Sequence, residues 1–138
     1  MEPINIRAKH GPEYHIQNKW VKFLTAKGWH VERLIGNAFQ SGIPDLLLMH
    51  PEHGIRFVDI KVDGKYSFTA AQKQKWPLWL KFGCGIWILS AKSSEDCTKS
   101  HMVEQYERLF KGPNVMDFWK DSWHINLDKL LEELDEPD

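Results

Sequence analysis

Cysteine is scarce in this chain. Cys84 and Cys97 are the only two, and no Cys-x-x-Cys pair is present. That excludes a disulfide-stapled scaffold and a zinc-ribbon or zinc-finger framework, so Cys84, Cys97 and His101 do not read as a zinc site. With no recognisable signal peptide, the expectation is a reducing, intracellular setting wherever its substrate lies, and not secretion. Long apolar runs are also missing. None approaches the roughly eighteen residues that would suggest a membrane span, so no membrane partner is expected. There is no internal repeat and no low-complexity tract. Charge of one sign is not in excess either: the formal net charge is -1, which by itself points to no polyanionic partner.

The chain does have a normal globular composition. Its 138 residues are enough for one domain with a proper core and not two, and a hydrophobic content of 42% is ordinary. Charge is unevenly distributed. Residues 128–138 hold six acids (Asp128, Glu132, Glu133, Asp135, Glu136, Asp138) against Lys129, and without that tail 17 basic residues stand against 13 acidic ones. The body is therefore modestly basic, as a phosphate-binding surface requires, although a mixed solvated surface with a charged end has the same composition.

Residues 1–10 read as a loose lead-in. Gly11-Pro12-Glu13 opens a helix in which Ile16, Trp20, Phe23 and Leu24 recur at helical spacing up to Lys27-Gly28. Strands follow near 29–35, 44–49 and 56–62, the last two joined by a hairpin-like turn at Pro51-Glu52-His53-Gly54 where His50 and His53 read as solvated. A second helix spans about 69–82 and stops at Gly83, with Pro77 expected to kink or interrupt it. A fourth strand covers 85–90, residues 91–100 read as loop, and short helices are expected at 102–111, 115–121 and 126–134. Trp76, Trp79 and Trp87 read as core, while Trp119 and Trp123 suit either packing of the C-terminal helices or a dimer face. The order α-β-β-β-α-β implies an α/β fold, one sheet with helices packed on it.

Pro44-Asp45 and, fourteen residues after Asp45, Asp59-Ile60-Lys61 carry the most chemistry. Alternation along a strand turns Asp59 and Lys61 to one face and Ile60 to the core. If the two strands are neighbours, Asp45 comes beside Asp59 and Lys61. Two carboxylates and an ammonium at one place make a divalent-metal site with a basic group over it, which suits attack of water on a phosphodiester. Separately, Pro-Asp is a common turn and Asp-x-Lys is often a solvated ion pair. Together they read otherwise, because four apolar residues follow Asp45 and Asp59 interrupts the apolar run Phe57, Val58, Ile60, Val62. A carboxylate in such a run needs a partner or a metal.

The ordered set Gly42-Ile-Pro-Asp-Leu, Phe57-Val-Asp-Ile-Lys, Phe68-Thr-Ala-Ala-Gln72 and Gly83-Cys-Gly-Ile-Trp-Ile resembles the PD-(D/E)xK nuclease superfamily, and within it VRR-NUC domains and small Holliday-junction resolvase-like endonucleases. The resemblance implies a restriction-endonuclease-like core: a four-stranded mixed sheet flanked by helices over residues 12–92, with a C-terminal helical extension at 93–138 that it does not cover. It implies Mg²⁺, with Mn²⁺ able to substitute, held by Asp45, Asp59 and the Ile60 carbonyl, with Glu13 binding through water or placing a second ion. Lys61 would hold or help deprotonate the attacking water and oppose charge in the transition state. Gln72 would lie close to the active site, although with Thr69 it also forms a capping box that explains both residues without catalysis. Asp59 stands where many relatives have Glu. Arg33, Lys65, Lys73 and Lys75 border the expected site and are candidate DNA contacts, as well as ordinary surface residues.

The activity so implied is a metal-dependent endodeoxyribonuclease that leaves 5′-phosphate and 3′-hydroxyl ends. Branched, flapped or junction DNA is the first substrate expectation, with a homodimer matching two scissile strands. A sequence-specific endonuclease of homing or restriction type uses the same core and would need residues 95–138 for specificity. A DNA-binding protein with a dead nuclease fold is the reading of another class, and the intact Asp45, Asp59 and Lys61 argue against it.

Overall fold

The computed structural model describes residues 12–34, 42–62, 68–91, 93 and 97–122, and for Pro12, Glu13 and residues 119–122 the backbone only. In chain order it holds α1 (Pro12–Ala26), β1 (His30–Arg33), β2 (Leu46–His50), β3 (Gly54–Val62), α2 (Ala70–Lys81), β4 (Ile86–Ala91), α3 (Lys99–Tyr106), a 3-10 turn (Glu107–Phe110) and α4 (Val115–Ser122). The expected helix at 126–134, Trp123 and Lys65 lie outside the described residues. Among the described residues, no helix is long and apolar enough to cross a membrane.

The strands form one mixed sheet in the order β1-β2-β3-β4. β1, β2 and β3 pair antiparallel, and β4 lies parallel to β3. A parallel neighbour needs a crossover, and α2 supplies it. The order of elements predicts one α/β sheet with helices packed on it, and the four-stranded mixed sheet is the restriction-endonuclease-like core that the resemblance implies.

Period-two alternation along β3 and β4 divides the interior into two cores. Val58, Ile60, Val62, Leu89 and Ala91 face α1 and pack on Ile16, Trp20, Phe23 and Leu24, with Cys97, Met102 and Leu109 completing that side. Ile86 and Ile88 face α2 and pack with Phe68, Trp76 and Val115. The row Phe57, Asp59, Lys61 shares the α2 side, where the Phe57 ring meets Trp79 edge-on at 5.1 Å.

Several boundaries differ from the sequence reading. Helix α2 runs unbroken through Pro77. The ring is buried, and the helix forgoes only the one i→i−4 bond that proline cannot make. Residues 99–100, read as loop, begin α3, because the Thr98 hydroxyl accepts the His101 N–H and caps the helix. His50 is half-buried against aromatic neighbours, whereas His53 is exposed as expected. Their ring centroids are 4.4 Å apart, and both lie against Trp29. Trp87 is only half-buried: its indole N–H donates to the Lys111 carbonyl and Arg56 stacks on its face.

Candidate active site

Asp45 sits one residue before β2, not within it. The register Leu46↔Val58 sets it opposite Asp59, and the two strands exchange side-chain bonds there in place of ladder bonds. The Asp45 N–H donates to Asp59 Oδ1 at 3.2 Å, and the Ile60 N–H donates to Asp45 Oδ2 at 2.8 Å. Carrying the register two residues past Leu46 and Val58 would bring Pro44 opposite Ile60. Proline has no N–H to offer the Ile60 carbonyl. In a strand a residue's N–H and C=O point to the same edge. The Ile60 carbonyl is therefore directed to the side where Asp45 lies, past the end of the ladder. Pro44 thus does more than turn the chain: it ends the pairing at the Ile60 carbonyl.

Gly42 fixes the approach of this segment. Its φ is +87°, and a Cβ there would lie 2.7 Å from the Ala71 backbone carbon. The Gly42 carbonyl accepts the Trp76 indole N–H at 2.7 Å. The loop that delivers Asp45 is thereby fastened to the first turns of α2.

Lys61 Nζ lies 3.0 Å from Asp59 Oδ2 and donates to Gln72 Oε1 at 3.1 Å. Asp59, Lys61 and Gln72 are all buried, at 1%, 6% and 7% exposure. Gln72 Oε1 also accepts the Thr69 N–H, while the Gln72 N–H donates to the Thr69 hydroxyl. Capping and contact with Lys61 are thus performed by one amide oxygen and are not alternatives. The rings of Phe68 and Trp76 lie 4.7 and 5.6 Å from the ammonium and attract it through their faces. The sequence reading placed Trp76 only in the core. Its spacing of four from Gln72, which puts both on one helix face, was the available signal.

Burial pushes the Asp59 carboxyl up from its ordinary 3.8 to about 8, and the Asp45 carboxylate beside it adds to the rise, while Lys61 opposes it. A buried carboxylate and a half-buried one beside it are relieved by a cation between them. With the Ile60 carbonyl they make a hard-oxygen donor set suited to a small divalent ion. Among the described residues no group of three or more His, Cys, Asp or Glu side chains gathers for a metal. The Glu13 backbone starts α1, on the opposite face of the sheet from Lys61, and its side chain lies outside the described residues.

The remaining candidates are placed as follows. Arg33, at the end of β1, donates to Gln17 Oε1 at 3.1 Å and to Asn18 Oδ1, and lies over the Tyr14 ring at 5.5 Å. Lys73 and Lys75 are half-buried on α2. His101 Nε2 meets the Ser90 carbonyl at 2.8 Å, and burial raises both cysteine thiols.

No protein-family model matches this chain, and no curated protein matches it. A VRR_NUC domain of known structure aligns with a TM-score of 0.53 at 25% identity, over 70% of this chain and 99% of that one. The mixed four-stranded sheet, the carboxylates at the mouth of β2 and the crossover helix therefore belong to a chain that is similar to a VRR_NUC domain and has a PD-(D/E)xK-like nuclease fold.

Proposed function

We propose that the chain is a Mg²⁺-dependent endodeoxyribonuclease acting on junction, flap or otherwise branched DNA. The observation that carries this is the meeting of Asp45, Asp59 and Lys61: two carboxylates side by side with an ammonium 3.0 Å from one of them. Asp45, Asp59 and the Ile60 carbonyl would hold the ion, with Glu13 contributing through water. Bound there, the cation would polarise the phosphate and lower the pKa of the attacking water. Mn²⁺ has the same preference for oxygen ligands and would substitute.

The protein groups do the rest. Lys61, held by Gln72 and the two aromatic faces, presents positive charge to the attacked phosphate and orients the water. Its placement before substrate arrives avoids reorganisation as charge develops. Arg33, Lys65, Lys73 and Lys75 are the proposed phosphate contacts away from the reacting atoms. A homodimer would address two strands of a branch.

Commitment of the C-terminal segment favours this over a sequence-specific enzyme. Within residues 97–122, Gln105 and Asn114 bond the edge of β4, and Cys97, Met102, Leu109 and Val115 are buried in the two cores. Those six side chains are committed to the fold and do not read base edges.

Asp45→Ala, Asp59→Ala and Lys61→Ala are each expected to lower cleavage by at least about a hundredfold while DNA binding persists, since phosphate contacts elsewhere supply most affinity. The check is gel cleavage of supercoiled plasmid, four-way junction, flap and linear duplex with Mg²⁺ and with EDTA. Full activity in any of the three variants, or cutting undiminished by EDTA, overturns the reading. Discrete bands from the duplex with no preference for the branched DNAs would shift it to a sequence-specific enzyme.

A further inference from the structure

Helix α2 begins beside Lys61 and carries a surface that the proposed chemistry does not use. From Gln72 to Phe82 it extends about 15 Å at roughly 1.5 Å per residue, so its far end lies well clear of the reacting groups. Phe82 is 76% exposed there, more than the other exposed large apolar side chains among the described residues, and Leu78, one turn before it, is 40% exposed. Helical spacing aligns Ala70, Gln74, Leu78 and Phe82 on one ridge, and all four are exposed. Lys75 and Lys81 flank the ridge, with Lys81 Nζ 5.9 Å from the Phe82 ring centre.

The charge of this stretch is segregated. From Gly64 to Ser94 there are five lysines (Lys65, Lys73, Lys75, Lys81, Lys92) and no aspartate or glutamate, in a chain whose net charge is -1. The Phe82 backbone is held firmly. The Gly83 N–H bonds Leu80 at 3.1 Å and the Cys84 N–H bonds Trp79 at 2.9 Å, a double closure of the helix end that Gly83 permits with φ +84°. A large ring on a helix end held by two backbone bonds and bracketed by lysines has the make-up of a base-stacking platform.

We infer that the exposed ridge of α2 is a nucleic-acid track, along which Lys75 and Lys81 contact phosphates and Phe82 stacks on an unpaired base at the branch of the DNA. The inference rests on the nuclease reading and deepens it. A continuous duplex hides its base faces in the stack, whereas a branch point leaves one open, so a stacking ring distinguishes the two without reading sequence. The same site would then recognise flaps and junctions by an aromatic contact remote from the metal ligands.

The test uses the full chain in EDTA, so that binding is measured without cutting. Affinities of wild type, Phe82→Ala and Phe82→Trp are compared on a flap with 2-aminopurine at the branch and on a continuous duplex of equal length. Phe82→Ala is expected to weaken flap binding by about 5- to 100-fold, the range of one base–aromatic stack, with duplex binding unchanged within about twofold. Phe82→Trp should restore flap binding, and quenching of 2-aminopurine by wild type should vanish in Phe82→Ala. Flap affinity and quenching unchanged in Phe82→Ala overturn the inference while leaving the nuclease reading in place. Absence of DNA binding by wild type overturns both. Sedimentation of the same proteins assigns the ridge to a second copy of the chain, against the inference, if Phe82→Ala dissociates a dimer without altering flap preference.

Discussion

Burial and the neighbouring Asp45 raise the Asp59 carboxyl to about 8, so it keeps its proton to higher pH than an exposed aspartate does. The folded chain therefore keeps that proton while the unfolded chain releases it near pH 4, so between those values the native state binds more protons. Stability from this group is fully present below about pH 4 and is lost as pH rises towards 8. In EDTA, the melting temperature of wild type is expected to fall relative to Asp59→Asn between pH 5 and pH 8. Mg²⁺ should raise the wild-type value more at pH 8 than at pH 5, because a cation binds the ionised form. Parallel melting curves for the two proteins across this range would refute the account. Lys61 shows the other side of the same arrangement. Its partners come from β3 and α2, so no single local rule specifies its position.

At the scale of elements, the junction of a loop and a helix decides the geometry of the site. Gly42 touches the backbone of Ala71, and its carbonyl holds Trp76, whose ring also faces Lys61. A methyl group at Gly42 would meet backbone atoms at 2.7 Å in a conformation that L residues rarely adopt. Gly42→Ala is expected to cost about 2 kcal/mol or more and to reduce cleavage as well, since the same loop positions Asp45. Thermal denaturation and a cleavage assay check it, and an unchanged melting temperature would show that the loop is not held as described. The capping box Thr69–Gln72 was legible in the sequence, since its spacing is local. Its contact with Lys61 was not, because that bond spans eleven residues and depends on where the chain folds α2 against the sheet.

For the whole molecule, the problem is an open sheet edge. Ile88 and Ser90 of β4 turn their N–H and C=O groups outward, and two side-chain amides close them as another strand would. Asn114 Oδ1 accepts the Ile88 N–H at 2.6 Å and its Nδ2 donates to the Ile88 carbonyl at 3.1 Å. Gln105 does the same for Ser90 at 2.8 and 2.7 Å. Edge strands left unpaired invite association with other chains, so this closure keeps the sheet to four strands. Asn114→Ala leaves the Ile88 N–H without its partner, while the Ile88 carbonyl keeps Arg108 at 3.4 Å, and is expected to destabilise by about 1–3 kcal/mol and to promote self-association. Denaturant titration and light scattering test both, and a loss below about 0.5 kcal/mol would mean that water replaces the amide readily. Residues 102–111 were expected as a helix, but nothing in their sequence announced that Gln105 would act as a strand surrogate.

Backbone geometry acts over a few residues, and whatever depends on it could be read from the chain. Alternation placed Asp59 and Lys61 on one face with Ile60 opposite, apolar runs marked the strands, Gly83 ended α2, and Thr69 capped it. The order of motifs carried the fold class as well. Tertiary structure alone decided the rest: that Asp45 would precede β2 and bond across to Ile60, that Pro44 would leave a carbonyl beyond the ladder, that Trp76 would wall Lys61, and that α3 and Asn114 would close β4. Those contacts join residues from fifteen to twenty-six positions apart. They follow from how the chain reverses and packs, where burial of apolar faces sets the distances and the polar groups must then find partners among whatever that packing brings near.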